Sequence, residues 1–148
     1  MKSLKEIVAQ VKKESGGLLE AFHAIQEQEL SLSSQAIQVV SEAFYMPPAQ
    51  VYETASFYSY LNLEPVGKNV IRICRSAPCH TEGAGDVVDA LEKLLGIKIG
   101  GTTPDGRFTL QYTECVGQCC SSPVITINRE VHAGLTPDSL PDILAAYN

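Results

Sequence analysis

The stretch Val70–His80, VIRICRSAPCH, sets a short β-type run directly against the first cysteine of a C-x4-C pair, Cys74 and Cys79. The same grammar recurs at 107–120, RFTLQYTECVGQCC, where Phe108, Leu110 and Tyr112 alternate as in a half-buried strand and lead into Cys115, Cys119 and Cys120. Between the two runs lies a helical pattern with Val87 or Val88, then Leu91, Leu94 and Leu95, closed by Gly96. A strand, a helix and a second strand form a right-handed βαβ unit when the strands are parallel neighbours. In that case both strand ends, and the cysteines that follow them, lie on one edge of the sheet. Open α/β sheets bind ligands along that edge.

The remainder of this half completes a small α/β sandwich. GGTTPDG (100–106) is turn chemistry, and VITIN followed by EVHAG reads as a hairpin. A last helix is expected from Thr136 as N-cap, with Pro137 and Asp138 in its first turn and Leu140, Ile143, Leu144 and Tyr147 on its apolar face. The short IKI at 97–99 is a candidate further strand. The order β-α-β-β-β-α suits a thioredoxin-like arrangement.

Upstream, the period changes to that of helices. Ser3 and Glu6 form a capping-box signal, and Leu4, Val8 and Val11 share one face before Gly16-Gly17 breaks the chain. A second stripe runs Leu18, Phe22, Ile25. A third, after the serines of SLSS, runs Ile37, Val40, Phe44, and Pro47-Pro48 ends it. The fourth helix is expected to carry Val51, Ala55 and Tyr58 on one face. The predicted fold class is therefore α+β: a helical bundle over 1–64, then a thioredoxin-like α/β domain over 65–148, divided within NLEPVGKN.

Composition narrows the function. The chain has 148 residues and a formal charge of −6, with no Lys/Arg cluster longer than KK, which argues against nucleic acid and against an anionic membrane surface. No run of about 18 apolar residues occurs, so no transmembrane helix is expected. The N-terminal MKSLKEIVAQVKKE lacks the apolar stretch and small-residue cleavage site of a secretory signal and is too acidic for a transit peptide, so a cytoplasmic location is expected. In a reducing compartment, clustered cysteines point to metal or catalysis before disulfides.

The five cysteines offer one more sulfur than a four-ligand site takes. No C-x-x-C dithiol is present, and the adjacent Cys119-Cys120 pair would give only a strained vicinal disulfide. Structural zinc favours short, tight pairs, whereas a [2Fe–2S] cluster needs two thiolates on each iron and tolerates a longer loop per pair. Spacing leans towards the cluster and leaves zinc open. It also leaves open whether Cys115 partners Cys119, as C-x3-C, or Cys120, as C-x4-C. Of the histidines, His80 follows Cys79, but a Rieske centre needs two, and His23 and His132 have no matching placement. Arg75 reads as a surface charge with an alternative role in offsetting a thiolate cluster. No acid–base pair, P-loop or G-x-G-x-x-G is present, so no nucleotide or flavin site is expected on this chain.

ICRSAPCH (73–80), GGTTPDGRFTLQYTECVGQC (100–119) and SSPVITINREVHAGLTPDSL (121–140) resemble the small [2Fe–2S] subunit of NADH-dependent oxidoreductases. That family includes the E subunit of NADH:quinone oxidoreductase (complex I) and the equivalent subunits of NAD-dependent [FeFe]-hydrogenases and formate dehydrogenases. LLEAFHAIQEQ (18–28) and PPAQVYETASFYSYL (47–61) extend the likeness to the N-terminal helices. The resemblance implies one [2Fe–2S] cluster held by Cys74, Cys79, Cys115 and Cys119, with Cys120 standing where a small residue such as glycine is usual. It implies an electron-transfer subunit without a complete active site of its own. FMN and NAD(H) would sit on a partner, an FMN/NADH-binding flavoprotein subunit, accompanied by further iron–sulfur or catalytic subunits. The expected parent is a soluble NAD-dependent assembly of the hydrogenase or formate dehydrogenase type, electron-bifurcating forms included, with respiratory complex I as the alternative. A zinc-stabilised thioredoxin-like binding module and a free ferredoxin-like carrier are the readings from other classes.

Overall fold

The computed structural model describes residues 2–147, which divide between Pro65 and Val66 into two compact units. The first unit is helical: α1 (Leu4–Lys13), α2 (Leu18–Glu29), α3 (Ser34–Phe44) and α4 (Pro48–Phe57). Each start has a local cause. Ser3 and Glu6 form a reciprocal capping box on α1, the Ser33 hydroxyl accepts from the Ala36 N–H of α3, and Pro48 occupies the first turn of α4. Phe22, Ile25, Val40, Val51 and Ala55 are wholly buried and Val8 nearly so, which gives the four amphipathic faces a common core. Burial of one such Ile or Phe side chain is worth about 1.5–3 kcal/mol.

The fourth helix corrects one expectation. It ends at Phe57, and Tyr58 takes an extended conformation and is exposed. The residues that follow are tied to α2 by polar contacts instead. Gln26 Oε1 accepts from the Asn62 N–H at 2.6 Å, and the Asn62 amide donates to the Leu30 carbonyl at 3.0 Å.

The second unit contains β1 (Asn69–Cys74), α5 (Ala77–Thr81), α6 (Ala84–Leu95), β2 (Phe108–Thr113), β3 (Val124–Ile127), β4 (Glu130–Ala133) and α7 (Leu140–Ala145). Among the described residues the strands form one sheet in the order β2-β1-β3-β4. β1 and β2 are parallel, in register from Asn69↔Phe108 to Cys74↔Thr113. β3 runs antiparallel to β1, and β3 with β4 makes the expected hairpin. Ile71, Ile73, Leu110, Ile125 and Ile127 pack with Val87 and Leu91 of α6 and Leu140 of α7. All six residues of β1 are buried, as a central strand requires.

Two further expectations are corrected here. IKI at 97–99 is not a strand: Ile97 and Ile99 pack on the core from a turn, and Glu92 Oε1 accepts the Ile99 N–H at 3.0 Å. The last helix is preceded by a 3-10 turn, Pro137–Ser139, and it is this turn that Thr136 caps. A helix whose first turn is 3-10 is a common way to satisfy early N–H groups.

Candidate iron–sulfur centre

The parallel register of β1 and β2 fixes the site. Because Cys74 lies opposite Thr113, the two chains leave the sheet side by side, and the Arg75 N–H still donates to the Thr113 carbonyl at 3.1 Å. From β1 the chain passes Ser76 into α5, which carries Cys79 and has Pro78 in its first turn. From β2 it passes Glu114 and Cys115 to Gly117, whose φ of +86° suits a residue without Cβ, and then into a 3-10 turn at Cys119–Ser121. The edge of the sheet thus gathers all five cysteines.

The sulfurs are arranged as two pairs of unlike exposure. Cys74 and Cys79 are each 1% exposed and form a small buried cluster with Ala84 and Val124. Cys115 and Cys119 are exposed, with their sulfurs 3.4 Å apart, and the Gly117 N–H points at Cys115 Sγ at 3.4 Å. Cys79 Sγ lies 3.4 Å from Ser122 Oγ, and that hydroxyl donates to the Cys119 carbonyl at 3.0 Å. Cys120 Sγ has Ser121 Oγ at 3.8 Å. A cleft of about 400 Å³ between α5 and the 3-10 turn is lined by Pro78, Thr81, Glu82, Cys119, Cys120 and Ser122.

Cys74 and Cys119 are shifted in opposite directions. Burial pushes the Cys74 thiol up, but hydrogen bonds from the Ser76 N–H and hydroxyl, from Cys79 and from the Val116 N–H outweigh it and hold the thiol below its usual value. Cys119 is pushed up, first by its hydrogen bond with Cys115, then by burial, then by the negative charges that Cys115, Cys79 and Cys74 would carry. Sulfurs from both loops therefore feel one another, and as thiolates they call for positive charge among them. Among the described residues no three His, Cys, Asp or Glu side chains close around a single ion. Two separate dithiol pairs match the donor set of a two-iron cluster, which takes two thiolates on each iron. On the chemistry of the donors, the residues fit a [2Fe–2S] cluster.

The sequence profile of the thioredoxin-like [2Fe–2S] ferredoxin family matches residues 4–148. The chain belongs to that family. Its α+β fold is accordingly thioredoxin-like in the sheet-bearing unit, with the N-terminal helices in addition. It is 41% identical over 129 residues to the E subunit of NADH-quinone oxidoreductase from Escherichia coli (strain K12), covering 87% of this chain and 78% of that protein. Identity to the corresponding NADH-quinone oxidoreductase protein of Buchnera aphidicola (subsp. Acyrthosiphon pisum, strain APS) is also 41% over 129 residues, covering 87% of this chain and 80% of that one. Among solved structures, a NAD+-reducing [NiFe]-hydrogenase in its air-oxidised state superposes with a TM-score of 0.76 at 28% identity, over 88% of this chain. The chain spans only 23% of that hydrogenase polypeptide. No helix among the described residues is long and apolar enough to cross a membrane.

Several residues around the cysteines escaped sequence reading. Ser76 and Ser122 reach sulfurs, and Glu114 pairs with Arg75, yet a serine or glutamate in a loop has no periodicity to betray it. Their one detectable signal is position within two residues of a cysteine. His80 is exposed, His23 stacks near Tyr60 at 5.8 Å between ring centroids, and His132 meets Tyr147, so the histidines are spread over separate environments.

Proposed function

We propose that this chain is an electron-transfer subunit that holds one [2Fe–2S] cluster through Cys74, Cys79, Cys115 and Cys119. The observation that carries the reading is the pairing of sulfurs at the ends of two adjacent parallel strands, in a chain of a [2Fe–2S] ferredoxin family. When bound, the cluster supplies a centre that takes up and releases one electron at a time. The chain's own part is to hold and shield it. Cys74 and Cys79, enclosed with Ala84 and Val124, would anchor the cluster's inner half away from water. The Ser76 and Val116 N–H groups and the Ser76 hydroxyl orient and stabilise the Cys74 thiolate. Cys115 and Cys119 present the outer half at the surface, where a partner can approach.

That partner is proposed to be an FMN-containing, NADH-binding flavoprotein subunit, with further iron–sulfur or catalytic subunits beyond it, in the cytoplasm. The parent assembly is proposed to be a soluble NAD-linked hydrogenase or formate dehydrogenase type, and the superposition on the NAD+-reducing hydrogenase supports it. A second reading, the equivalent subunit of an NADH:quinone oxidoreductase, is favoured by the 41% identity to the two bacterial quinone oxidoreductase proteins. Anaerobic purification from the native host separates the two through the neighbouring subunits. The purified chain should show visible absorbance that bleaches with dithionite, and iron and acid-labile sulfide in equal amounts. A colourless protein that holds zinc would overturn the reading.

A further inference from the structure

Ser122 stands where the two cysteine pairs meet. Its hydroxyl lies 3.4 Å from the sulfur of buried Cys79 and 3.0 Å from the carbonyl oxygen of Cys119. It is thus in contact with one member of each pair. The backbone there is extended, φ −67° and ψ 154°, the conformation that the following Pro123 imposes.

A thiol and a hydroxyl can share such a contact with either as donor. A sulfur that ligates iron has given up its proton, so the one hydrogen left between these two atoms belongs to the serine. The Cys119 carbonyl competes for it, and an O–H placed between two acceptors is shared by both. Cys79 is 1% exposed, so water has little access to replace the serine as donor.

We propose that Ser122 is a redox-positioning residue: its hydroxyl donates to the Cys79 thiolate and raises the reduction potential of the bound cluster. The proposal rests on the reading of Cys79 as a cluster ligand. Reduction adds one electron from an external one-electron donor; no bond breaks and no proton is transferred. The negative charge borne by the thiolate ligands grows, and a fixed O–H dipole aimed at one of them stabilises the more negative state more than the less negative one. Loss of the dipole therefore makes the site harder to reduce.

The test uses the full chain with its cluster, in the wild type, Ser122→Val and Ser122→Thr. Valine has threonine's shape without the oxygen, and both β-branched residues suit the extended backbone. Dithionite titration followed by electron paramagnetic resonance should give a more negative midpoint for Ser122→Val and a wild-type midpoint for Ser122→Thr. In D2O, electron–nuclear double resonance should show an exchangeable proton coupled to the centre in the wild type and Ser122→Thr, and lose it in Ser122→Val. An unchanged midpoint and an unchanged proton signal in Ser122→Val overturn the proposal. If Ser122→Val fails to assemble, Ser122→Ala supplies the same comparison. Failure of both while Ser122→Thr assembles overturns it in favour of a purely structural role. A wild-type protein without iron and sulfide overturns the ligand reading itself, and the role of Ser122 with it.

Discussion

Arg75 and Glu114, the residues just after Cys74 and just before Cys115, are paired: Arg75 Nε lies 3.0 Å from Glu114 Oε1. The guanidinium's Nη2 reaches the same oxygen, so the side chains bridge the two loops that carry the cysteines. The sequence reading of Arg75 as a surface charge is right about its exposure and silent about its partner.

The pair should contribute little to global stability. With 61% and 68% of the two side chains exposed, Arg75→Ala is expected to cost less than about 1 kcal/mol in urea unfolding, and less again at high salt. The exchanged double variant, Arg75→Glu with Glu114→Arg, should recover most of that loss. A larger cost, independent of salt, would mean that the pair does more than join exposed charges.

Cys119 and Cys120 should respond oppositely to truncation. Cys119→Ala is expected to lose the cluster, measured as iron, sulfide and visible absorbance. Cys120→Ala is expected to keep all three. The reverse result would assign the second pair as C-x4-C.

Gly67 offers a test of backbone packing beside β1. A Cβ there would meet the Gly106 carbonyl oxygen at 2.9 Å and the backbone of Phe108 at 3.0 Å, and backbone atoms cannot swing aside. The Gly67 N–H also donates to the buried Thr109 hydroxyl at 2.7 Å. Gly67→Ala is expected to destabilise by about 1–3 kcal/mol, as overpacking does, seen as a lower urea midpoint. A neutral result would show that the β1 and β2 ends have more room than these distances allow.

Tyr147 gives a signed alkaline prediction. Burial pushes its phenol up, and the hydrogen bond it donates to the Glu130 carboxylate adds to this, raising it to about 12 from an ordinary 10.0. Below the ordinary value the phenol is protonated whether folded or unfolded, and its contribution to stability is present in full. As pH rises from about 10 towards 12 the unfolded chain ionises first, and the contribution is lost. Tyr147→Phe should therefore be less stable than the wild type at neutral pH and converge with it above pH 12. Absorbance near 295 nm should show one late-ionising phenol missing in the variant.

What could be read from the sequence was what periodicity and punctuation encode. The spacing of Phe108, Leu110 and Tyr112, and the run into Cys74, gave both strands, and the connecting helix gave their parallel pairing. Tyr112 is exposed and Thr109 buried, however, so β2 is not the half-buried alternation its sequence suggests. α5 was missed because a five-residue helix, APCHT, is too short to show an apolar period. IKI has a strand's composition, but a carboxylate from α6 and the turn at Gly100-Gly101 hold it in another form. Tyr58 continues the spacing of Val51 and Ala55, yet α4 stops one residue short of it, and spacing does not encode where a helix ends. At the site, the cysteines announced themselves and their hydrogen-bonding neighbours did not. Contacts such as Ser122 with Cys79 span 43 residues, which no local pattern records.

The alignment of Cys74 with Thr113 makes the segment between them and Cys115 a ruler. Successive side chains of a strand point to opposite faces, so one residue added to or removed from β2 would shift its register against β1 and carry Cys115 out of reach of its partners. The segment just before β2 is held to the same count, since the Gly100 N–H donates to the Leu110 carbonyl at 2.7 Å, the Thr103 N–H to the Phe108 carbonyl at 2.8 Å, and Thr102 bridges to Thr109. Insertions and deletions among functional members should therefore be absent between Gly100 and Cys119.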